Sequence, residues 1–493
     1  MMESAGLWML IGVAIVMIGT GLPSWIVLIG VAMLFATAGA AFDAFPAALL
    51  TALPSRVIGL LEHDLLQALP LYVFMGALLH RLPLADTVFR VFSHTMQRSP
   101  AGRPLAGLAL SVLLAPMNGS AGASAAMLSR IVQPKLIAGG TSAAQSAALT
   151  CISSTLGVVI PPSLVLILLG DAMLRAHTEA INLTGVRASM TTSMRIINTQ
   201  DVFHGAVIPA AMLLVLCTLV TWVVHRRAPH TGPQYPAVSR VDIIVALSTT
   251  IFITTLLAAV ALGRLYAVEA AATGGVALMM YGLLSGAFSR EIWREVLHDT
   301  MAVTGALFAL LLAATVFTLI VRAFGTDRWI AAGLKEFGGN QWLLIFIVFG
   351  ALALCAFVLD AFEMIFVIIP LLLPPLLVQV PDAVWVAVLT LLILQMSFTI
   401  PPFGYAVMIV RNLTRQPLES SRLMRALAPY LIAELVVLAV VLAFPRVLWR
   451  EDPAPSVSPA NTSAPDADAS EMLNRQLNLN QEIEDKKPGA DKK

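Results

Sequence analysis

The chain has 493 residues, of which 58% are hydrophobic and only 12% charged, with a mean hydropathy of +0.85. Soluble globular proteins carry about 25% charged residues, so this composition excludes a water-soluble fold. A formal net charge of +1 excludes polybasic nucleic-acid binding, and the alternating segments of roughly ten residues that build a membrane β-barrel are missing.

Apolar blocks such as LWMLIGVAIVMIG, VDIIVALSTTIFITTLLAAVALG and PYLIAELVVLAVVLAFP read as membrane helices, because about 20 apolar residues span the hydrocarbon core. Glu3 stands where a signal peptide would carry basic residues, so the first helix is expected to stay in the membrane. Residues 6–42 fit either one helix broken at GTGLP or two spans. Lys and Arg then set the orientation. Arg81, Arg90, Arg98 and Arg103 form one cluster, Arg226, Arg227 and Arg240 a second, Arg290 and Arg294 a third, and Arg411, Arg415, Arg422 and Arg425 a fourth. The positive-inside rule puts all four at the cytoplasmic face. Segments near 41–56, 173–204 and 322–341 mix charges and fit the outside. So does the 447–493 tail, too poor in aliphatic residues to fold. Cys151, Cys217 and Cys355 lie in apolar stretches without pairing or metal spacing and read as small buried hydrophobes.

The chain contains an internal repeat. An offset of 240 residues lays AALTCISSTLGVVIPPS on AVLTLLILQMSFTIPPF, so that Ile160, Pro161 and Pro162 meet Ile400, Pro401 and Pro402. The same offset pairs Ala121 with Ala361 and Pro134 with Pro374. Leucine-rich helices match by chance; co-registered proline pairs do so poorly. Transporters are commonly built from such repeats. In copy one, LAGLALSVLLAP starts at the cytoplasmic Arg103 and stops at MNGSAGAS. About a dozen helical residues reach only about 18 Å, too short to cross. The chain returns through AAMLSRIVQPK to Lys135, which predicts a re-entrant hairpin. Copy two is expected to enter from the opposite side through WLLIFIVFGALALCAFV, turn near Asp360 and leave through FEMIFVIIPLLLPPLL. Broken backbone at membrane depth is tolerated where it lines a cavity or is buried in protein.

Each hairpin is followed by a helix interrupted at Pro-Pro. Proline has no N–H and strands the carbonyl four residues back. Pro161 and Pro162 are thus expected to free the carbonyls of Gly157 and Val158, and Pro401 and Pro402 those of Ser397 and Phe398. Freed carbonyls are ligands for a dehydrated Na⁺. The candidate cation set is Gly119, Ser120, Ser124, Ser153, Ser154, Gly157 and Pro161 in copy one, with Asp360, Ser397, Thr399, Pro401 and Gly404 in copy two. Helix N-termini beginning at the breaks favour a substrate carboxylate. Ser120, Thr155, Pro162, Ser163, Asp360 and Pro402 are the candidate substrate residues. No organic cofactor is implied; Na⁺ would be the coupling ion.

The motifs GSAGAS, SSTLGVVIPPS, VLDAFE and SFTIPPFGYAV resemble those of the large membrane subunit of tripartite ATP-independent periplasmic (TRAP) transporters, over residues 5–448. LVLILLGD and LDAFE…IPLLLPP are most similar to the mannitol/chloroaromatic-type branch, associated with 2-oxo acids or lactate. The resemblance implies a multi-pass bacterial inner-membrane protein. It also implies an elevator-type, Na⁺-driven importer working with a small four-helix membrane subunit and a periplasmic substrate-binding protein. The alternative is a proton-coupled or binding-protein-independent organic-anion symporter. The tip MNGSAGASAA departs from acidic or Thr-rich versions, and the 173–204 loop and the tail look like additions.

Ionisable groups inside apolar segments are expensive and usually functional. Asp360 and Glu363 share a helix face at the second tip, and Asp360 is weighed as a ligand or as a group holding the tip. Glu62, His63 and Asp64 read as interfacial, and Arg130 as an arginine reaching for the cytoplasmic edge. No HExxH cluster and no P-loop occurs, so the chain is not read as an enzyme or an ATPase. The sequence therefore predicts an all-α polytopic membrane protein with an inverted repeat, two re-entrant hairpins and two Pro-Pro-broken helices, like elevator-type ion transporters. Residues 1–103 are scaffold helices, and 104–175 the first hairpin and broken helix. Residues 176–341 hold a periplasmic loop and more scaffold, 342–411 the second hairpin and broken helix, 412–448 the last helix and 449–493 a disordered tail.

Overall fold

The computed structural model describes residues 4–45, 51–61, 64–114, 116, 121–184, 197–226, 238–336, 340–357, 359–380, 382–400, 404–414, 416 and 418–448. The tail beyond 448 and the expectation of disorder there lie outside the described residues.

Helix α1 (Ala5–Thr20) ends where Gly21 takes a φ of 64° and donates its N–H to the Met17 carbonyl, a left-handed cap suited to a residue without Cβ. Pro23 leads into α2 (Ser24–Ala41). Gly12 faces Val31 across the pair, so residues 6–42 form an antiparallel helical hairpin. Next come α3 (Leu53–Leu61), α4 (Asp64–Arg81) and α5 (Leu84–Thr95), the last two bent by 62°. Helices α6 (Gly102–Leu114), α7 (Ala121–Ile131) and α8 (Gln133–Ala138) lead to α9 (Ala143–Val159), α10 (Leu164–Thr184) and α11 (Thr199–His225).

The second half is α12 (Arg240–Ala261), α13 (Ala267–Leu284), α14 (Arg290–Ala323), α15 (Thr326–Glu336) and α16 (Gln341–Cys355). It continues through α17 (Ala361–Gln379), which holds a π turn at Met364–Ile368. It closes with α18 (Ala383–Ser397), α19 (Tyr405–Leu413) and α20 (Ser420–Ala443). Among the described residues seven helices are long and apolar enough to cross a membrane, or nine if each of two bent pairs is one span.

The sequence offset governs the whole bundle. Helices α6, α7, α9 and α10 fall on α16, α17, α18 and α19, and α1, α2, α4 and α5 fall on α12, α13, α14 and α15. Even the caps correspond. Ser142 Oγ accepts the Gln145 N–H (3.3 Å) and Asp382 Oδ1 accepts the Trp385 N–H (3.1 Å) at the equivalent positions. The duplication is therefore wider than the two hairpin regions read from sequence.

The copies run in opposite directions. Arg81, at the end of α4, pairs with Glu295 and with Asp299 (2.8 Å) near the start of α14. Thr221, late in α11, bonds Tyr430 (3.0 Å), early in α20. Helix α4 and its equivalent α14 thus lie antiparallel, as an inverted repeat requires, and α11 and α20 are antiparallel neighbours. Each copy also completes the other: α2 packs on α14 as α13 packs on α4, and α10 on α17 as α19 on α7.

Both hairpins are re-entrant. Arg103 at the start of α6 packs over Gly139, just past α8, so the first hairpin returns to the level at which it began. Trp342 at the start of α16 meets Trp385 in α18 edge-on at 6.3 Å, which closes the second. The hairpin arms are interior: 78% of the α17 window is buried, against 22% in α12. Helix α12 instead exposes Ile244, Leu247 and Ile251, as a lipid-facing helix does.

Candidate functional site

Helix α9 stops at Val159 and α10 resumes at Leu164, with a bend of 42° across the first Pro-Pro pair. Ser163 caps the new helix, its Oγ accepting the Leu166 N–H at 3.1 Å and donating to the Val158 carbonyl at 2.7 Å. The Val158 carbonyl, expected to be free, thus accepts the Ser163 hydroxyl, which also caps the new helix. A serine just past a break is the natural capping residue, and it satisfies the carbonyl that the prolines strand. Ser154 and Thr155 donate to the Cys151 (2.7 Å) and Ile152 (2.9 Å) carbonyls of their own helix. Ser153 differs: its Oγ is buried and has no hydrogen-bond partner among the described residues.

The second break repeats the logic with different atoms. The Phe398 carbonyl, expected to be free, accepts the Ala406 N–H at 3.1 Å, because the chain folds back over the break. Ser397 Oγ donates to the Leu394 carbonyl at 2.6 Å. Gly404 sits where a Cβ would lie 2.7 Å from the Phe398 carbonyl oxygen, so glycine is required by sterics. Pro401 and Pro402 lie outside the described residues, as do Gly119 and Ser120 at the first tip and Glu62 and His63. Ser124 is buried early in α7, and Arg130 is exposed at its end.

The second tip is a helix start. Asp360 precedes α17 and its N–H donates to Glu363 Oε2 at 3.1 Å, while its buried Oδ1 has no hydrogen-bond partner among the described residues. Glu363 is 5% exposed and also hydrogen-bonds Ser24 at the start of α2. Tyr405, the first residue after the second break, lies within Coulombic reach of both carboxyls, and its ring covers Gly122 of α7. Cys151 of α9 approaches the Ala406 carbonyl at 3.9 Å. The first hairpin, the second break and the second tip are thereby brought together around Tyr405. Among the described residues no three His, Cys, Asp or Glu side chains converge.

Sequence reasoning missed one residue. Glu434 of α20 is 2% exposed. Its Oε1 accepts from Gln395 Nε2 at 2.9 Å and its Oε2 from Thr399 Oγ1 at 3.1 Å. Thr399, a candidate cation ligand by sequence, thus turns its hydroxyl toward α20. A single acid inside the apolar run LIAELVVLAVV was the available signal. Helices α11 and α20 pack on both broken helices.

An inverted pair of re-entrant hairpins and interrupted helices defines a secondary transporter. The chain belongs to the tripartite ATP-independent periplasmic transporters, DctM component, whose family model matches residues 11–447. It is 23% identical to the C4-dicarboxylate TRAP transporter large permease protein DctM of Pseudomonas aeruginosa, over 78% of this chain and 86% of that one. It is 21% identical to the sialic acid TRAP transporter large permease protein SiaM of Vibrio cholerae, over 79% and 87%. In fold it is similar to the YdaH transporter of Alcanivorax borkumensis, with a TM-score of 0.56 at 15% identity, covering 83% and 90%. It is the large permease subunit of a multi-pass bacterial inner-membrane system whose other parts are a small membrane subunit and a periplasmic binding protein.

Proposed function

We propose that this subunit imports small organic acids, such as a 2-oxo acid, lactate or a related carboxylate, in symport with Na⁺. The observation that carries the reading is that two buried oxygens of the candidate cation set, Ser153 Oγ in the helix before the first break and Asp360 Oδ1 at the second hairpin tip, have no hydrogen-bond partner among the described residues. Burying a polar atom without a partner costs about 1–3 kcal/mol, which a coordinated cation would offset. The two relatives named above are described by carboxylate substrates, which supports the substrate class.

In this reading the hairpins and broken helices form a block that shifts against the outer helices, carrying the site across by an elevator movement. Helices α11 and α20 are assigned to it as well, α11 in place of the scaffold role expected for it from sequence, because both pack on α9 and α18. The outer helices α1 to α5 and α12 to α15 stay and dock the small subunit. The test is uptake into vesicles containing both membrane subunits, with the binding protein supplied outside. Uptake of carboxylate that follows an inward Na⁺ gradient is the expected result. Uptake driven by a proton gradient in Na⁺-free buffer would replace Na⁺ with H⁺.

A further inference from the structure

A cavity of about 300 Å³ is lined by residues of four helices, beginning at Leu168 one turn past the first break, and is within the range of small-molecule sites. Arg56 of α3 and Thr315, Thr318 and Arg322 of α14 form one wall. Asp171, Arg175 and Glu179 of α10 line the cavity as well, together with the apolar Phe366 and Pro370 of α17. The walls therefore come from both the outer helices and the arms of the broken elements.

Its depth follows from α14. Glu295 and Asp299 bind Arg81 at the cytoplasmic end of that helix. From Glu295 to Arg322 the helix rises about 40 Å at 1.5 Å per residue, enough to cross a bilayer with its headgroups. The cavity therefore opens at the face from which a periplasmic binding protein delivers its cargo.

The charges do not cancel. Arg175 pairs with Asp171 at 3.0 Å and Arg322 with Glu179 at 2.5 Å. Arg56 has no ion-pair partner among the described residues. Among the described lining side chains three guanidiniums meet two carboxylates, a local excess of one positive charge. Guanidinium forks match carboxylates in two-point geometry, and a cleft of one sign concentrates the opposite ion before binding. The π turn in α17, a feature frequent at functional sites, sets Ile365 and Phe366 into the floor, apolar contact for a short carbon chain.

We infer that this cavity is an outer-face binding site for the carboxylate group of the transported acid, with Arg56 as the anchoring cation. It rests on the reading of the protein as a carboxylate importer, and the test is built to fail separately from that reading. A thiol is placed in the cavity as Thr318→Cys, or as Thr315→Cys should the first variant fold poorly, in a Cys355→Ala background. Cys151 and Cys217 are buried. The assembled membrane subunits in Na⁺-free buffer are then labelled with an anionic (sulfonatoethyl) or a cationic (trimethylammonium-ethyl) methanethiosulfonate.

The expected result is an anionic preference of about tenfold relative to a free thiol, the lower end of electrostatic focusing in clefts. Adding Arg56→Gln should remove most of that preference and Arg56→Lys should keep it. Millimolar succinate, pyruvate or lactate should slow labelling, and mannitol should not. A cationic preference, or equal slowing by mannitol and by the acids, would overturn the site even if carboxylate uptake is intact. Protection by acids together with Na⁺-independent uptake would support the site and remove the Na⁺ coupling.

Discussion

Glu434 and Thr399 face each other at 3.1 Å across the seam between the last helix and the second break. The Thr399 hydroxyl has one hydrogen and two acceptors in range, Glu434 Oε2 and the Met396 carbonyl at 2.9 Å. The other carboxylate oxygen holds Gln395. Glu434 thus fixes the last turn of α18 from outside it. Glu434→Ala is expected to strand both partners, at about 1–3 kcal/mol for each buried group, lowering the melting temperature in detergent and abolishing uptake. Glu434→Gln keeps an acceptor for Gln395 and offers Thr399 a donor, so it should melt near the parent. Equal melting of the Ala variant and the parent would show that the contact holds nothing.

The two buried oxygens give a second test. Ser153→Ala removes a hydroxyl that has no hydrogen-bond partner among the described residues, so folding should change by less than about 0.5 kcal/mol. Loss of one ligand should raise the half-saturating Na⁺ concentration of uptake by about tenfold, the equivalent of 1.4 kcal/mol. Asp360→Asn should act in the same direction, and the Glu363 bond to the Asp360 N–H should survive it because it uses backbone. Na⁺ titration of uptake in the two variants decides; unchanged curves in both would place the cation elsewhere.

The hairpins, the breaks and the inverted order were legible because proline and charge act locally. Pro161 and Pro401 disrupt their helices wherever the chain goes, and Arg103 marks a membrane face by itself. What the breaks do with their freed carbonyls was not legible. Whether Val158 is satisfied by Ser163, or Phe398 by Ala406, depends on how the chain turns after the proline. The role of α20 was hidden for a related reason. Glu434 finds its partners 39 and 35 residues away, and no periodicity in α20 announces them. At GTGLP, Gly21 and Pro23 fit a kink and a hairpin equally; the contact of Gly12 with Val31 decides.

Two glycines make opposite predictions under the same substitution. At Gly404 an added methyl would lie 2.7 and 3.0 Å from the Phe398 and Ile400 carbonyl oxygens, backbone atoms that cannot move without undoing the turn. Gly404→Ala should therefore abolish uptake, with no side-chain change able to rescue it. At Gly122 the added methyl would meet the Tyr405 ring at 2.5 Å, the far end of a side chain. Gly122→Ala should lose part of its uptake and regain it when combined with Tyr405→Leu. Failure of that rescue, with the protein folded, would mean that the ring does more than fill space.

The last prediction concerns movement, and it uses the pair that bridges the two groups of helices at the outer face. Glu179 belongs to α10, which continues from the first break, and Arg322 to α14, the long outer helix; their charged atoms are 2.5 Å apart. If the site crosses the membrane with its block, this contact must open and re-form once per cycle. Exposed or half-exposed pairs are worth about 0–1 kcal/mol, so breaking it adds little to the barrier. Cysteines at both positions, in the Cys355→Ala background, should be joined by a short bifunctional thiol reagent. Joining them is expected to stop uptake, and cleaving the link should restore it. The yield should also change when Na⁺ and carboxylate are added together, since they shift the balance between outward and inward states. Full uptake by a quantitatively linked protein would show that α10 and α14 do not part, and the elevator movement would be wrong.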